Sequence, residues 1–210
     1  MNVVTENQSY FEFKRTEEVE EWARKYYADL LDSPREDELH KLISGYTGNC
    51  YKYYNKLLRY YMPVESDTFR QIDTADTRRD VMEIEKIIEV LCKYSLPENI
   101  IAYRFTRKKD IISLCSGKRI CIGTEFSDKA FFSTTLIRKL LNTFMWENHC
   151  NCLLKLYLPK GLPGAYVSID KEWSCLNEQE FLLPPNIKFK IQKIHRFRFP
   201  FTIECIALQH

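Results

Sequence analysis

Apolar positions recur along this chain at two spacings, and the change from one to the other falls near Asn99. Up to that point they follow the three-and-four rhythm of a single helix face. Thr16-Glu17-Glu18 places acids where a first helical turn favours them, and Val19, Trp22, Ala23 and Tyr26 form the stripe behind it. Ser33-Pro34 predicts the start of a second helix, because proline is tolerated in a first turn, with Leu39, Leu42 and Ile43 on its buried side. A third helix is expected from about Asn49 to Tyr61, stopped by Met62-Pro63. A fourth, from Asp80 to Tyr94, buries Val81, Ile84, Ile87, Ile88 and Leu91. Leu96-Pro97-Glu98-Asn99 then breaks the rhythm.

After the break the apolar runs are short, rich in β-branched and aromatic residues, and separated by Gly, Pro, Asn or charge, which is the pattern of strands. They are Ile100–Thr106, Ala130–Thr134, Asn151–Leu158, Tyr166–Ile169, Glu178–Leu183, Lys188–Ile194 and Thr202–Leu208, with one helix expected at Leu136–Trp146. No internal repeat or low-complexity tract is visible. Helices first and strands after predict an α+β fold: one domain over 1–210, helical through 1–98, β-rich and mainly antiparallel through 99–210.

A chain of 210 residues buries a substantial core without covalent staples. Its eight cysteines are scattered, so free thiols in a reducing compartment are expected rather than a disulfide framework. His149-Cys150-Asn151-Cys152 is the nearest approach to a set of metal ligands. A Cys-x-Cys pair within a strand closes poorly on one tetrahedral ion, and no second pair follows at zinc-site spacing, so no metal is expected. A net charge of +2 gives no global attraction for nucleic acid or an anionic membrane. No apolar run is long enough to cross a bilayer, and Met1 to Tyr10 lacks the basic-then-apolar order of a secretion signal. A soluble monomer is the expectation.

Candidate chemistry is concentrated in four places. Glu178-Gln179-Glu180 opens an otherwise apolar run, and on one strand its two acids would share a face about 6.5–7 Å apart. They read either as an edge strand kept soluble by charge or as a carboxylate pair facing a cleft. Arg104 sits in the middle of the apolar strand Ile100–Thr106. Desolvating a guanidinium is costly unless an anion meets it, so a protein carboxylate or a ligand anion is its expected partner. Ser133, Thr134 and Thr135 follow two aromatics, a grouping that a Thr-rich strand end also produces by chance. Asn55 and Arg59, four apart, share a helix face just after Tyr46-Thr47-Gly48-Asn49, as a site would arrange them and as a solvated face also would.

Taken in this order, the pieces resemble the mono-ADP-ribosyltransferase family, in the arginine-serine-diglutamate branch that includes bacterial exoenzymes and the enzymatic components of binary toxins. Tyr46, Asn55, Leu58 and Arg59 match a Tyr…Asn-x-x-Leu-Arg helix, and Tyr103-Arg104 an aromatic-Arg strand. Phe131-Phe132-Ser133-Thr134-Thr135 matches a Phe-x-Ser-Thr-Ser strand, and Glu178-Gln179-Glu180-Phe181-Leu182-Leu183-Pro184 a Glu-x-Glu run followed by aliphatic residues and Pro. Gly164-Ala165-Tyr166 also looks like the family. The resemblance covers roughly Tyr46 to the carboxyl terminus; Asn2 through Leu31 carry no motif. Thr135 stands where Ser is usual, and Phe105 where toxin members often have a second basic residue.

The resemblance implies a two-sheet ADP-ribosyltransferase-like core, with NAD+ as the substrate that is split and no metal. It assigns Glu180 to the positive charge that builds on the ribose ring, as in glycoside hydrolysis, and Ser133 to fixing the Glu180 rotamer. Arg104 and Arg59 would bind the pyrophosphate through planar, charge-assisted hydrogen bonds, with Asn55 and Tyr46 in the same cofactor site. Glu178 would meet the acceptor, generally an arginine for diglutamate members, and act as the base that orients it. Trp173, on the loop leading to Glu178, is either a substrate contact or a loop anchor. A protein acceptor and a toxin or effector, secreted or injected and acting in a reducing cytoplasm, complete the implication. Three rivals stand beside it. A two-carboxylate glycosidase is disfavoured because its acids must flank the scissile bond. A non-catalytic NAD+- or protein-binding module keeps the fold alone. An NAD+ glycohydrolase, or a transferase acting on a non-arginine or nucleic-acid acceptor, keeps the chemistry and changes only the acceptor.

Overall fold

The computed structural model describes residues 8–117, 119–140, 149–168, 178–197 and 199–209. Helix α1 (Thr16–Tyr26) buries Val19, Trp22 and Ala23, as its stripe predicts, and α2 (Ala28–Leu31) adds Leu30. Helix α3 (Glu38–Gly45) starts later than Ser33-Pro34, since the Pro34 carbonyl is taken up in a turn that accepts from the Asp37 N–H at 2.9 Å. It runs through a widened π-type turn (Tyr46–Cys50) into α4 (Tyr51–Tyr60), which supplies Tyr54, Leu57 and Leu58 to the core. The short α5 (Asp67–Arg70) is capped by Ser66. Helix α6 (Ala75–Lys93) begins before the expected Asp80, because the Thr74 hydroxyl caps it by accepting from the Thr77 N–H at 3.1 Å. Its first turn is largely polar, so the apolar rhythm alone does not reveal it.

The second half forms β1 (Ile100–Thr106), α7 (Lys108–Leu114), β2 (Glu125–Ser127), β3 (Phe132–Thr135), β4 (Cys152–Leu158), β5 (Ala165–Tyr166), β6 (Glu180–Leu183), β7 (Lys188–His195) and β8 (Phe201–Ala207). Helix α7 and strand β2 are too short to leave a periodic signal. Of the expected helix Leu136–Trp146, a 3-10 turn at Arg138–Leu140 is present and residues 141–148 lie outside the described residues.

The strands join in the order β2-β7-β8-β4-β1-β3-β6-β5. All neighbours are antiparallel except β4 and β8. The strands run as one hydrogen-bonded order of eight, joined at one seam by a single register pair. Seven register pairs join β1 to β4, whereas β1 meets β3 only at Tyr103 opposite Thr135. One face, with Ile100, Ala102, Leu154, Leu156, Ile203 and Cys205, packs in the main core with Trp22, Ile43, Leu57 and Ile84. The opposite face holds a smaller cluster of Tyr10, Ile101, Tyr103, Phe105, Leu153 and Tyr157. Gly164 lets β5 lie tightly on β6, since a Cβ there would stand 2.9 Å from the Leu182 carbonyl oxygen.

Candidate active site

The seam between β1 and β3 is where the chemistry collects. Tyr103–Thr135 is the single register pair between the two strands, and the Arg104 guanidinium reaches across to β3 beside it. Its Nη1 donates to the Ser133 carbonyl at 2.6 Å, and its carbon lies 4.6 Å from the centre of the Phe132 ring. Among the described residues no carboxylate forms an ion pair with it. Burial therefore pushes its pKa down, with Asp128, Tyr46 and Glu180 near enough to oppose that shift. An interior cation held by one carbonyl and a ring face keeps most of its donors for an anion.

Glu180 stands at the first residue of β6, opposite Thr135 across β3. Its carboxyl is pushed up to about 7, chiefly by burial and further by the charge of Glu178. A hydrogen bond from the Ser133 hydroxyl and the field of Arg104 act the other way. Burial also raises Glu178. Continuous strand pairing is not what sets the two acids. The strand begins at Glu180, and Gln179 adopts a left-handed conformation with φ +49°. The Gln179 side chain is fully buried and accepts from the Tyr166 hydroxyl at 2.8 Å. The pair is thus made by a turn pinned from beneath, in place of the alternation of a pleat.

The three hydroxyls of β3 each hold one part of this turn. Ser133 meets the Glu180 carboxyl, Thr134 donates to the Phe181 carbonyl at 2.7 Å, and Thr135 donates to the Glu178 carbonyl at 2.5 Å. From the other side the Glu180 N–H donates to the Ser168 hydroxyl at 2.7 Å. A backbone anchored at both acids fixes where their side chains point.

The wall opposite is α4. Arg59 forms a two-point ion pair with Asp128, Nε to Oδ1 at 2.8 Å and Nη2 to Oδ2 at 2.6 Å. Asp128 is buried, and its Oδ1 also accepts from the Ala130 N–H at 3.0 Å. Its hydrogen bond holds the Arg59 pKa above the ordinary value. Asn55, one turn earlier, bridges two elements: its Nδ2 donates to the Tyr46 hydroxyl at 3.3 Å, and its Oδ1 accepts from the Phe131 N–H at 3.2 Å. Tyr46 is 2% exposed and packs edge-on against Phe131, with ring centres 4.9 Å apart. Burial, then the Glu180 charge, raises its pKa, and both Arg104 and Arg59 are close enough to counter the shift. Tyr46 and Asn55 accordingly form the floor of the site and tie α4 to β3.

The structure brings together Tyr46, Asn55, Arg59, Arg104, Ser133, Glu178 and Glu180, drawn from sequence positions far apart. Trp173 lies outside the described residues. Sequence reasoning missed Asp128, and also the roles of Thr134, Thr135 and Ser168. The one local sign of Asp128 is the Asx-turn pattern, an acid two residues before an N–H that it accepts, directly ahead of an apolar strand. The cleft lined by Gln8, Phe11, Glu98 and Lys160 lies apart and contains none of these residues.

A model of the ADP-ribosyltransferase exoenzyme family matches residues 19–199 of this sequence. The chain belongs to that family. Among solved structures it is similar to Plx2a, an ADP-ribosyltransferase toxin from Paenibacillus larvae, with 23% identity and a TM-score of 0.69 over 95% of this chain and 100% of that one. It is similar also to C3stau2 from S. aureus, solved with NAD, with 16% identity and a TM-score of 0.70 over 97% of this chain and 100% of that one. At these identities the likeness is one of fold. A curated relative, the uncharacterized protein R217 of Acanthamoeba polyphaga mimivirus, is 29% identical over 110 residues. That match takes in 48% of this chain and 14% of the viral protein, so the chain spans a small part of that relative's length. The match to the exoenzyme family includes every site residue just described, and it begins inside α1, earlier than the motifs alone reach.

Proposed function

We propose that this chain splits NAD+ at the bond between nicotinamide and ribose and transfers ADP-ribose to an arginine side chain of a protein. The observation that carries the reading is the desolvated Glu180 carboxyl, held by Ser133 beside Glu178 and within the field of Arg104, with Arg104, Arg59 and Glu180 all close to Tyr46. The bond breaks with its electron pair leaving on nicotinamide, and positive charge builds on the ribose ring. A carboxylate already fixed in place stabilises that charge without reorganising, which is how a preorganised site lowers a barrier. Arg104 and Arg59 bind the pyrophosphate; Asp128 holds Arg59 ready for it, while Tyr46 and Asn55 brace the floor. Glu178 orients the incoming guanidine and takes up its proton as the new carbon–nitrogen bond forms. NAD+ is a substrate here, and no step requires a metal.

Bound NAD+ is expected to raise the melting temperature. A ligand at a hundred times its Kd, bound only by the native state, adds about 2.7 kcal/mol, or roughly 5–10 °C for a domain of this size. Arg104→Ala should remove most of that gain. An unmoved transition at saturating NAD+ would sink the substrate assignment.

Asp128→Asn keeps an acceptor for the Ala130 N–H but releases Arg59 from its charged partner. Affinity for NAD+ is expected to fall about tenfold, the cost of losing one charge-assisted arrangement, with the fold intact. Isothermal titration of the folded variant checks this. Wild-type affinity would show that Arg59 needs no such support.

The acceptor is read from the bond that is made. Labelled NAD+ incubated with a cell lysate should leave ADP-ribose on protein as a guanidine N-glycoside, labile to neutral hydroxylamine and stable to mercuric ion. Label that survives hydroxylamine, or that runs in a nuclease-sensitive fraction, rejects arginine as the acceptor. Free ADP-ribose alone would make water the acceptor.

A further inference from the structure

The turn joining β7 to β8 exposes two phenylalanines to an unusual degree. Phe197 is fully exposed and Phe199 is 75% exposed. Scattered apolar residues are ordinary on a protein surface, but two bare aromatic rings on one strand connection are a costly use of apolar area. The hairpin is firmly built. Its ladder is paired up to His195 opposite Thr202, and the Phe201 N–H donates to the Asn151 carbonyl at 3.1 Å. The Thr202 hydroxyl closes on the Pro200 carbonyl at 2.9 Å, and the Lys108 ammonium lies 4.6 Å from the centre of the Phe201 ring.

Basic side chains predominate around this tip, although Lys193 stands in register opposite Glu204. Lys193 and Arg196 flank it on β7 and in the turn, and Lys108 and Lys109 open the adjoining α7; all four are exposed. The acids nearby are engaged elsewhere. Asp110 is paired with Arg107 at 2.9 Å, and Glu204 accepts from the Tyr157 hydroxyl at 2.6 Å and is bonded to His195. A chain whose overall charge is only +2 thus gathers cations around a bare aromatic tip.

We propose that this hairpin is a peripheral docking tip for an anionic phospholipid surface. Phe197 and Phe199 enter the zone between headgroups and acyl chains, while Lys193, Arg196, Lys108 and Lys109 meet the lipid phosphates. A pair of exposed aromatic rings suits a surface that yields around them, and the cations beside them suit the negative potential of such a membrane. No transmembrane segment is needed; among the described residues no helix is long and apolar enough to span a bilayer. The tip also sits at the same end of the sheet as the last residue of β1, since Thr106 pairs with Cys152 and Cys152 with Phe201. Docking there would hold the β1 seam close to the membrane without occupying it.

Co-sedimentation with large vesicles tests the proposal. The probes are phosphatidylcholine alone and phosphatidylcholine with about one third phosphatidylserine. The full chain should bind the anionic vesicles at least tenfold more tightly, and the preference should fade as salt rises from about 0.05 to 0.5 M. Phe197→Ser with Phe199→Ser should weaken binding at least tenfold, and Lys193→Ser with Arg196→Ser should flatten the salt dependence. Both doubles should keep the wild-type melting curve, because neither pair is buried. Three results would overturn the idea: no binding to either vesicle, full binding by the double phenylalanine variant, or Phe-dependent self-association without vesicle binding, which would make a second copy the occupant.

Discussion

Replacing Glu180 by Gln is expected to lower both ADP-ribose transfer and NAD+ hydrolysis by about three orders of magnitude or more, while making the folded protein more stable at neutral and alkaline pH. Both effects come from one fact, a carboxyl held in a site that resists its charge. Glutamine preserves the shape and an acceptor for Ser133 but removes the negative charge that faces the developing cation. Single preorganised electrostatic contacts are commonly worth a factor of 10²–10³ in rate, and a full charge in place of a dipole exceeds that. The stability effect follows from the raised pKa. Folding favours protonated Glu180, so its favourable contribution is complete below the ordinary value of 4.5 and is lost as pH rises through about 7. Above that point the ionised group costs the native state on the order of 3 kcal/mol. Glu180→Gln should therefore melt several degrees above the wild type at pH 8, with the gap closing as pH falls. The wild-type kcat/KM should climb as pH rises through about 7, because it reports the free enzyme. In Ser133→Ala the climb should shift upward, since the hydroxyl favours the ionised form. Retained hydrolysis in Glu180→Gln, or a lower melting temperature at pH 8, would refute the role given to this residue.

Glu178→Gln is expected to divide the two activities. Transfer to arginine should fall by about two orders of magnitude, the usual worth of a positioned base, while hydrolysis of NAD+ stays within a few-fold of wild type. Water needs less orientation than a guanidine and no comparable base. The substitution also removes a negative neighbour that raises Glu180, so the acidic limb of the remaining hydrolysis should move to lower pH. Transfer and hydrolysis measured on the same preparation across pH give both readouts. Equal loss of the two would show that Glu178 serves the cleavage step and has no separate part in choosing the acceptor.

The amino-acid sequence by itself marked the class of fold, most of its elements, and many of the residues that the candidate site brings together. Stripes at helical spacing mark α1, α3 and the body of α6, and dense β-branched or aromatic runs mark β1, β4, β7 and β8, because burying apolar area in a repeating structure writes its own period into the sequence. The candidate residues were legible for another reason: Arg104 and Glu180 are charged groups inside apolar runs, which stability alone does not favour, and the order of the motifs that carry them resembles one family. What lacked a period stayed hidden. The short α5, α7 and β2 bury too few residues to repeat, and the start of α6 rests on one hydroxyl cap.

Only the tertiary structure decided how the acids are held. Read as strand neighbours, Glu178 and Glu180 need nothing but the pleat. In the folded chain Gln179 turns the backbone left-handed, and hydroxyls from Thr134, Thr135 and Ser168 pin both flanks. The partner of Arg59 was equally out of reach, since Asp128 stands sixty-nine positions away and meets it only because α4 packs beside the start of β3. So was the seam, where β1 and β3 share one register pair and Arg104 reaches the Ser133 carbonyl. A residue's chemical type is local and can be read along the chain. The surroundings that set its charge, its rotamer and its partner are assembled from distant segments, and those come into existence only when the chain folds.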